Sequence, residues 1–316
     1  MAKLAIVGTG FVGASLGLAL RPSKLFDRIA GYDRDRGRLQ AATRAGALDE
    51  EARNAAAAAE QAAVVIVTVP TSELEGAFRD LASALSPGAI VTDTTLWKVA
   101  AEGAAAVLPE GVHFVGGRPV LDNAGHGPEQ ANAAALRNAV YCLTPSPSAN
   151  EVAVNAMSAV VTGAGAQPYF LEPAEHDALT AASELLPPAL LACLPFALVN
   201  DPAWVDAGKL AGDSLNRAAQ AAEEVQPAFW REAAANAPAL SRWLETAASS
   251  LLDLRDRLQS DDATTLATDW NATLQTLARW RAEKRQLQES TMPPKADLKP
   301  NLFGNMGALG RLGKRT

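Results

Sequence analysis

The residues best placed to do chemistry stand at the very start of the chain, in Gly8-Thr9-Gly10-Phe11-Val12-Gly13. The spacing Gly-x-Gly-x-x-Gly after an apolar run is built to hold an anion. Gly8 permits a tight turn, Gly10 lets backbone approach a pyrophosphate, and Gly13 allows a helix to pack closely on a strand. Open N–H groups and the positive end of the following helix then face the phosphates. Asp33, twenty residues beyond Gly13, can accept hydrogen bonds from the ribose hydroxyls of an adenosine. Its carboxylate repels a 2′-phosphate, which points to NAD. Arg34, Arg36 and Arg38 follow; one of them could accommodate that phosphate and so admit NADP, or all three form a solvated helix face. Val69 and Pro70 end a later strand and fall beside the adenosine half. The cofactor-binding set is therefore residues 8–13, Asp33, Arg34, Val69 and Pro70.

These residues need a particular scaffold. Lys3 to Val7 reads as a buried parallel strand, Ala14 to Leu20 as a helix, and Ile29 to Tyr32 as a second strand. Helical spacing follows from Arg34 to Ala45 and from Ala52 to Ala63. Val64 to Val67 is a third strand, and Thr71 can cap a helix from Ser72 to Ala84. Ala89 to Thr92 is a fourth strand and Trp97 to Val107 a helix. Val112 to Val115 is a fifth strand, with Gly116-Gly117-Arg118-Pro119 just past it. A polar loop from Asp122 to Gln130 falls near the strand ends, where open α/β sheets bind ligands. Val140 to Leu143, a helix from Glu151 to Val161, and Gln167 to Leu171 close the alternation. From Pro173 to about Arg285 only helical pattern remains, with breaks near Pro187, Pro202, Pro227 and Pro238. Trp230, Trp243, Trp270 and Trp280 fall in this part as helix-packing core or subunit interface. The expected architecture is an α/β Rossmann-type doubly wound sheet (residues 1–172), then an all-α helical domain (173–290), then a flexible basic tail (291–316).

Composition narrows the function. The chain has 316 residues, enough for two cores, with 48% hydrophobic and 20% charged residues. A formal charge of −7 lacks the basic footprint that nucleic-acid binding needs. Cys142 and Cys193 both sit in apolar surroundings and read as reduced packing residues. Leu185 to Val199 is the longest uncharged apolar run. It is too short to span a bilayer and carries three prolines, so a buried helix is expected. No metal-ligand cluster stands out, and a cytoplasmic location without a membrane partner is expected.

Further landmarks resemble the prephenate/arogenate dehydrogenase family. The opening Val7 to Gly17, Gly31-Tyr32-Asp33-Arg34-Asp35 and Thr68-Val69-Pro70 agree with it. Asp93-Thr94-Thr95-Leu96-Trp97-Lys98 sits at the family's Asp-x-x-Ser-x-Lys, and Gly116-Gly117-Arg118-Pro119 at its Gly-Gly-His-Pro. Gly127-Pro128-Glu129, Leu143-Thr144-Pro145, Glu175-His176-Asp177 and Phe229-Trp230 with Asn236 follow at family spacing. The resemblance implies NAD(P)-dependent oxidation and decarboxylation of a cyclohexadienyl carboxylate in tyrosine biosynthesis. It also implies a helical domain that forms a homodimer and helps close the active cleft.

The departures fall on polar site positions. Leu96 replaces the family serine, and Arg118 replaces the histidine that handles the ring hydroxyl. Glu184-Leu185-Leu186-Pro187-Pro188 replaces Ser-His-Leu-Pro-His. Ala221 aligns with the substrate-binding arginine, and Arg217, four residues earlier, is the available substitute. Arginine stays protonated, so Arg118 cannot be a base. It could bind a substrate carboxylate in a two-pronged contact, or pair with Asp93 or Asp122. His126, in the loop after Arg118, is the candidate general base or else a surface histidine. Lys98 keeps the family lysine and can support the site electrostatically. His113 reads as packing and His176 as structural. Three functions fit these residues: a dehydrogenase of the family type, a degenerate member that binds a dinucleotide as sensor or partner subunit, or a dehydrogenase for another hydroxy-carboxylate. A β-hydroxyacid dehydrogenase would need a helical-domain lysine; Lys209 is the one available, and its surroundings lack that motif.

Overall fold

The computed structural model describes residues 2–122, 125–227, 229–260 and 262–289. The expected basic tail, 291–316, lies outside the described residues. Two compact units result. One holds Met1–His176 together with the described residues from Arg279 on, and the other is Asp177–Ala278. The helical run expected as one domain thus divides: its last residues belong with the first unit.

The first unit is built on eight strands: β1 (Lys3–Val7), β2 (Arg28–Tyr32), β3 (Glu50–Glu51), β4 (Val64–Val67), β5 (Ile90–Asp93), β6 (His113–Pro119), β7 (Val140–Pro145) and β8 (Gln167–Phe170). They form one sheet in the order β3-β2-β1-β4-β5-β6-β7-β8. The pairings from β3 through β6 are parallel, β6 and β7 run antiparallel, and β7 and β8 are parallel again. Strands buried on both faces need near-continuous apolar sequence, and β1 and β4 supply it. Alternate side chains feed two cores. Leu4, Ile6, Ile66 and Ile90 meet Leu16, Leu20, Met157 and Val160 on one face. Ala5, Val7, Val65 and Val91 meet Leu74, Phe78 and Leu81 on the other. Phe78 and Phe114 lock edge to face there, with ring centroids 5.7 Å apart.

The chain leaves β1 to build β2 and β3 on one side, then returns to build β4 on the other. That reversal opens a crevice at the carboxyl ends of β1 and β4, where sheets of this kind bind ligands. Several local expectations shift. The alanine-rich helix is short, Ala55–Ala59, and Thr71 begins the helix Thr71–Ala82, with Pro70 rather than a threonine side chain at its cap. Gly116-Gly117-Arg118-Pro119 lies within β6 instead of past it, because β7 supplies an antiparallel partner opposite each of those residues.

In the second unit the helices are Leu186–Val199, Trp204–Lys209, Asp213–Glu223, Phe229–Ala235, Ala237–Gln259 and the first part of Ala263–Glu289. No break occurs at Pro187. A π-helical segment, Ala181–Leu185, precedes it and carries the chain on, so that 173–199 form one continuous helix of 27 residues. A wide turn of this sort absorbs backbone groups that proline leaves unbonded. The 27-residue helix is long and apolar enough to cross a membrane by length and composition alone, while the uncharged run Leu185 to Val199 within it is as short as expected. It is not a buried core helix: Leu190, Leu194, Phe196 and Val199 are exposed in the chain, and so is Cys193. Trp243 donates its indole N–H to the Ala178 carbonyl, whereas Trp230 and Trp270 are exposed.

Candidate active site

The glycine turn takes the geometry that its sequence requires. Gly8 has φ +92°, and a side chain there would meet the Thr68 carbonyl oxygen at 2.6 Å. A side chain on Gly13 would meet the Gly8 carbonyl oxygen at 2.1 Å, so helix and turn are in direct backbone contact. Gly10 has no atom within 4 Å of where a side chain would stand. Its face is open, at the cap of the helix Phe11–Leu20, whose first amides have no side-chain cap. Thr68, at the end of β4, donates its hydroxyl to the Gly8 carbonyl at 2.6 Å and fixes the turn. The strand-end threonine was a visible signal for this role, although the cofactor set drawn from sequence passed over it.

Asp33 is buried at the end of β2. Its Oδ2 accepts from the Thr9 amide at 2.7 Å and the Thr9 hydroxyl at 3.3 Å, and its Oδ1 from the Asp35 amide at 2.9 Å. These contacts hold the carboxylate across the glycine turn and leave lone pairs for further donors. Arg34 is exposed beside it, with Nη1 2.8 Å from Glu73 Oε2. Thr68 and Val69 are half-buried and Pro70 exposed at the end of β4.

A second cluster lies one strand further on. Asp93, fully buried at the end of β5, accepts from the Thr95 amide at 2.8 Å, from the Thr95 hydroxyl, from Lys98 Nζ at 2.5 Å and from the Gly117 amide at 3.1 Å. Lys98 is also fully buried and donates to the Gly117 carbonyl at 2.6 Å. The pair therefore ties the end of β5 to β6. Arg118, half-buried, is the next residue on β6, opposite Cys142. Burial pushes the Cys142 thiol up, against the pull of the Arg118 and Lys98 charges. Burial, with the Asp93 charge added, pushes the Tyr141 phenol far above its ordinary range. Asp93 pairs with Lys98, and Asp122 with Lys284.

The loop carrying His126 lies against the glycine turn: a side chain on Gly125 would meet the Phe11 ring at 2.7 Å. The His126 amide donates to Gln130 Oε1 at 3.0 Å, and its ring is exposed. The Asn132 amide donates to the Ser15 hydroxyl at 3.0 Å, binding the next segment to the same helix. A cleft of about 490 Å³ opens here, lined by Phe11, Asp122, Gln130, Asn132, Arg137 and Lys284 among others. Neither Arg118 nor His126 is among its described lining residues. Arg217 is exposed on the helix Asp213–Glu223 of the second unit. His113 hydrogen-bonds the Ser148 carbonyl and Asn150, as a packing residue would, and His176 is buried.

A parallel sheet with its switch point over this turn, backed by a strand-end aspartate, defines a dinucleotide-binding α/β domain. Residues 16–170 match the family model for the nucleotide-binding domain of prephenate dehydrogenase. Through this domain the chain is similar to the prephenate dehydrogenase family. It is 29% identical over 192 residues to prephenate dehydrogenase of Bacillus subtilis (strain 168), covering 60% of this chain and 52% of that protein. The match to a probable prephenate dehydrogenase of Streptomyces niveus is 26% over 190 residues, covering 59% and 50%. The chain thus spans about half the length of the curated relatives it matches. In fold it is similar to A. aeolicus prephenate dehydrogenase, crystallised with hydroxyphenyl propionate and NAD+, at TM-score 0.75 and 24% identity over 90% of this chain and 98% of that one. Synechocystis arogenate dehydrogenase gives 0.73 and 24% over 90% and 99%.

Proposed function

We propose that the chain is an NAD-dependent dehydrogenase of the prephenate/arogenate type, acting on a small cyclohexadienyl carboxylate in tyrosine biosynthesis. The observation that carries this reading is the open face of Gly10 beneath a buried Asp33. A pyrophosphate fits where no side chain intrudes, and a carboxylate stands where a ribose diol would be held. Bound NAD would supply the hydride acceptor. Asp33 accepts the adenosine ribose hydroxyls, the amides of the helix starting at Phe11 face the pyrophosphate, and Val69 and Pro70 wall the adenosine. Arg118 holds a substrate carboxylate in a two-pronged contact. His126 accepts the substrate hydroxyl proton, and Lys98 keeps the β5 and β6 ends in register. NADP remains the lesser cofactor.

The test is NADH and NADPH formation by purified protein, with prephenate and arogenate supplied separately. Turnover of either supports the assignment. A second reading has its own observation: leucine, arginine and proline stand where the family carries serine and histidines. Measurable NAD binding with no turnover of either compound favours a sensor or partner subunit. A third outcome, turnover of a different hydroxy-carboxylate only, keeps the dehydrogenase and changes its substrate.

The exposed apolar side chains of the second unit support a homodimer formed through its helices. Phe196, Val199 and Trp230 line one groove of about 470 Å³ there, and apolar surface of this extent is normally covered. Light scattering at twice the monomer mass, lost in Phe196→Asp, checks it. Burial of the helix 173–199 by a second copy also fits a cytoplasmic protein, which fractionation of cells tests.

A further inference from the structure

We propose that Glu73 is a cofactor-specificity residue, which acts by holding the Arg34 guanidinium across the adenosine end of the crevice and away from a 2′-phosphate. The inference rests on the dinucleotide reading above. Arg34 directly follows Asp33 at the end of β2, and Glu73 lies in the first turn of the helix that follows β4. In the sheet order β2 and β4 are the two neighbours of β1. The ends of β2 and β4 therefore stand roughly 10 Å apart, two strand spacings, with the glycine turn between them. Only long side chains close that gap, and these two do, at 2.8 Å.

The placement has an electrostatic consequence. An arginine just after the strand-end acid is the group a 2′-phosphate would recruit. Here its positive charge is already paired, and the partner adds a second carboxylate near the position where Asp33 excludes the phosphate. Arg36 and Arg38 do not compensate: both are exposed on the next helix, and Arg38 Nε lies 3.7 Å from the Asp35 carboxylate. Glu73 side-chain exposure is 35%, against 75% for Arg34, so the glutamate is the fixed half of the pair and the arginine the half that could swing.

Equilibrium dissociation constants for NAD and NADP, measured by calorimetry on full-length protein, test this at low and at moderate ionic strength. In Glu73→Gln the preference for NAD over NADP should fall about 1.5-fold to fivefold, the range an exposed ion pair commands. Glu73→Asp should keep part of the preference. Adding Arg34→Ala to Glu73→Gln should cancel the gain in NADP affinity, and raised salt should shrink it. An unchanged NAD-to-NADP ratio in Glu73→Gln, with NAD binding intact, overturns the role of Glu73 and leaves the dinucleotide reading standing. Retention of the gain without Arg34 overturns it equally. A folded wild-type protein that binds neither dinucleotide overturns both.

Discussion

Replacing Lys98 by Met tests whether the buried pair at the end of β5 governs the first unit. Methionine keeps most of the aliphatic stem and loses only the ammonium. Asp93 then retains three donors, the Thr95 amide and hydroxyl and the Gly117 amide, while the Gly117 carbonyl loses Nζ. Removing one partner of a fully buried ion pair costs about 3–5 kcal/mol, because the remaining charge stays desolvated. The three surviving hydrogen bonds to Asp93 place this site at the lower end, about 3 kcal/mol. That is a large share of the roughly 5–15 kcal/mol by which domains are stable, yet the variant should still fold. Urea unfolding followed by far-ultraviolet circular dichroism gives the value. The double variant Asp93→Asn/Lys98→Met removes both charges and should be less destabilised than the sum of the single variants, with a coupling above about 1 kcal/mol. A loss below about 1 kcal/mol in Lys98→Met, or strict additivity, would refute the argument that this pair is a buried tie.

Gly10→Ala and Gly13→Ala should separate binding from folding: the first leaves the melting temperature nearly unchanged and weakens NAD more than tenfold, while the second destabilises by about 1–3 kcal/mol through its clash with the Gly8 carbonyl. Calorimetry with NAD and thermal melts distinguish them. Tyr141 and Cys142 are both held neutral by burial, with ionisation pushed upward in the folded chain. Their contribution is complete below the ordinary pKa values of 9.0 and 10.0, and it is lost as pH rises above them because only the unfolded chain ionises readily. The urea midpoint should therefore fall above about pH 9, and Tyr141→Phe should flatten that limb by up to about 1.4 kcal/mol per pH unit. Iodoacetamide on native protein at pH 8 should spare buried Cys142, as peptide mass spectrometry would show. Arg118→Ala should raise the KM for a carboxylate substrate at least tenfold with NAD affinity unchanged; an equal loss of both would argue against the carboxylate contact.

The glycine turn, the first strands and Asp33 were legible in the sequence because their constraints are local. A positive φ needs glycine, a strand buried on both faces needs an apolar run, and the acid must stand one residue past the second strand. The onset of purely helical pattern at Pro173 was readable for the same reason, since hydrophobic period is a property of neighbours along the chain. Tertiary structure decided the rest. Gly116-Gly117-Arg118-Pro119 reads as lying just past the fifth strand, and it becomes strand because β7 lies antiparallel beside it. The Thr144 hydroxyl lies 2.3 Å from where a Gly116 side chain would stand. Lys98 reads as the family lysine that can support the site electrostatically, and burial beside Asp93 makes it a tie between two strands. Pro187 and Pro188 signal a break, yet a π-helical segment carries the helix through. The pairing of Arg34 with Glu73 joins residues that local pattern cannot relate. Sequence fixes what each stretch of backbone can tolerate; which distant charge faces which is settled only when β2 and β4 are laid on either side of β1.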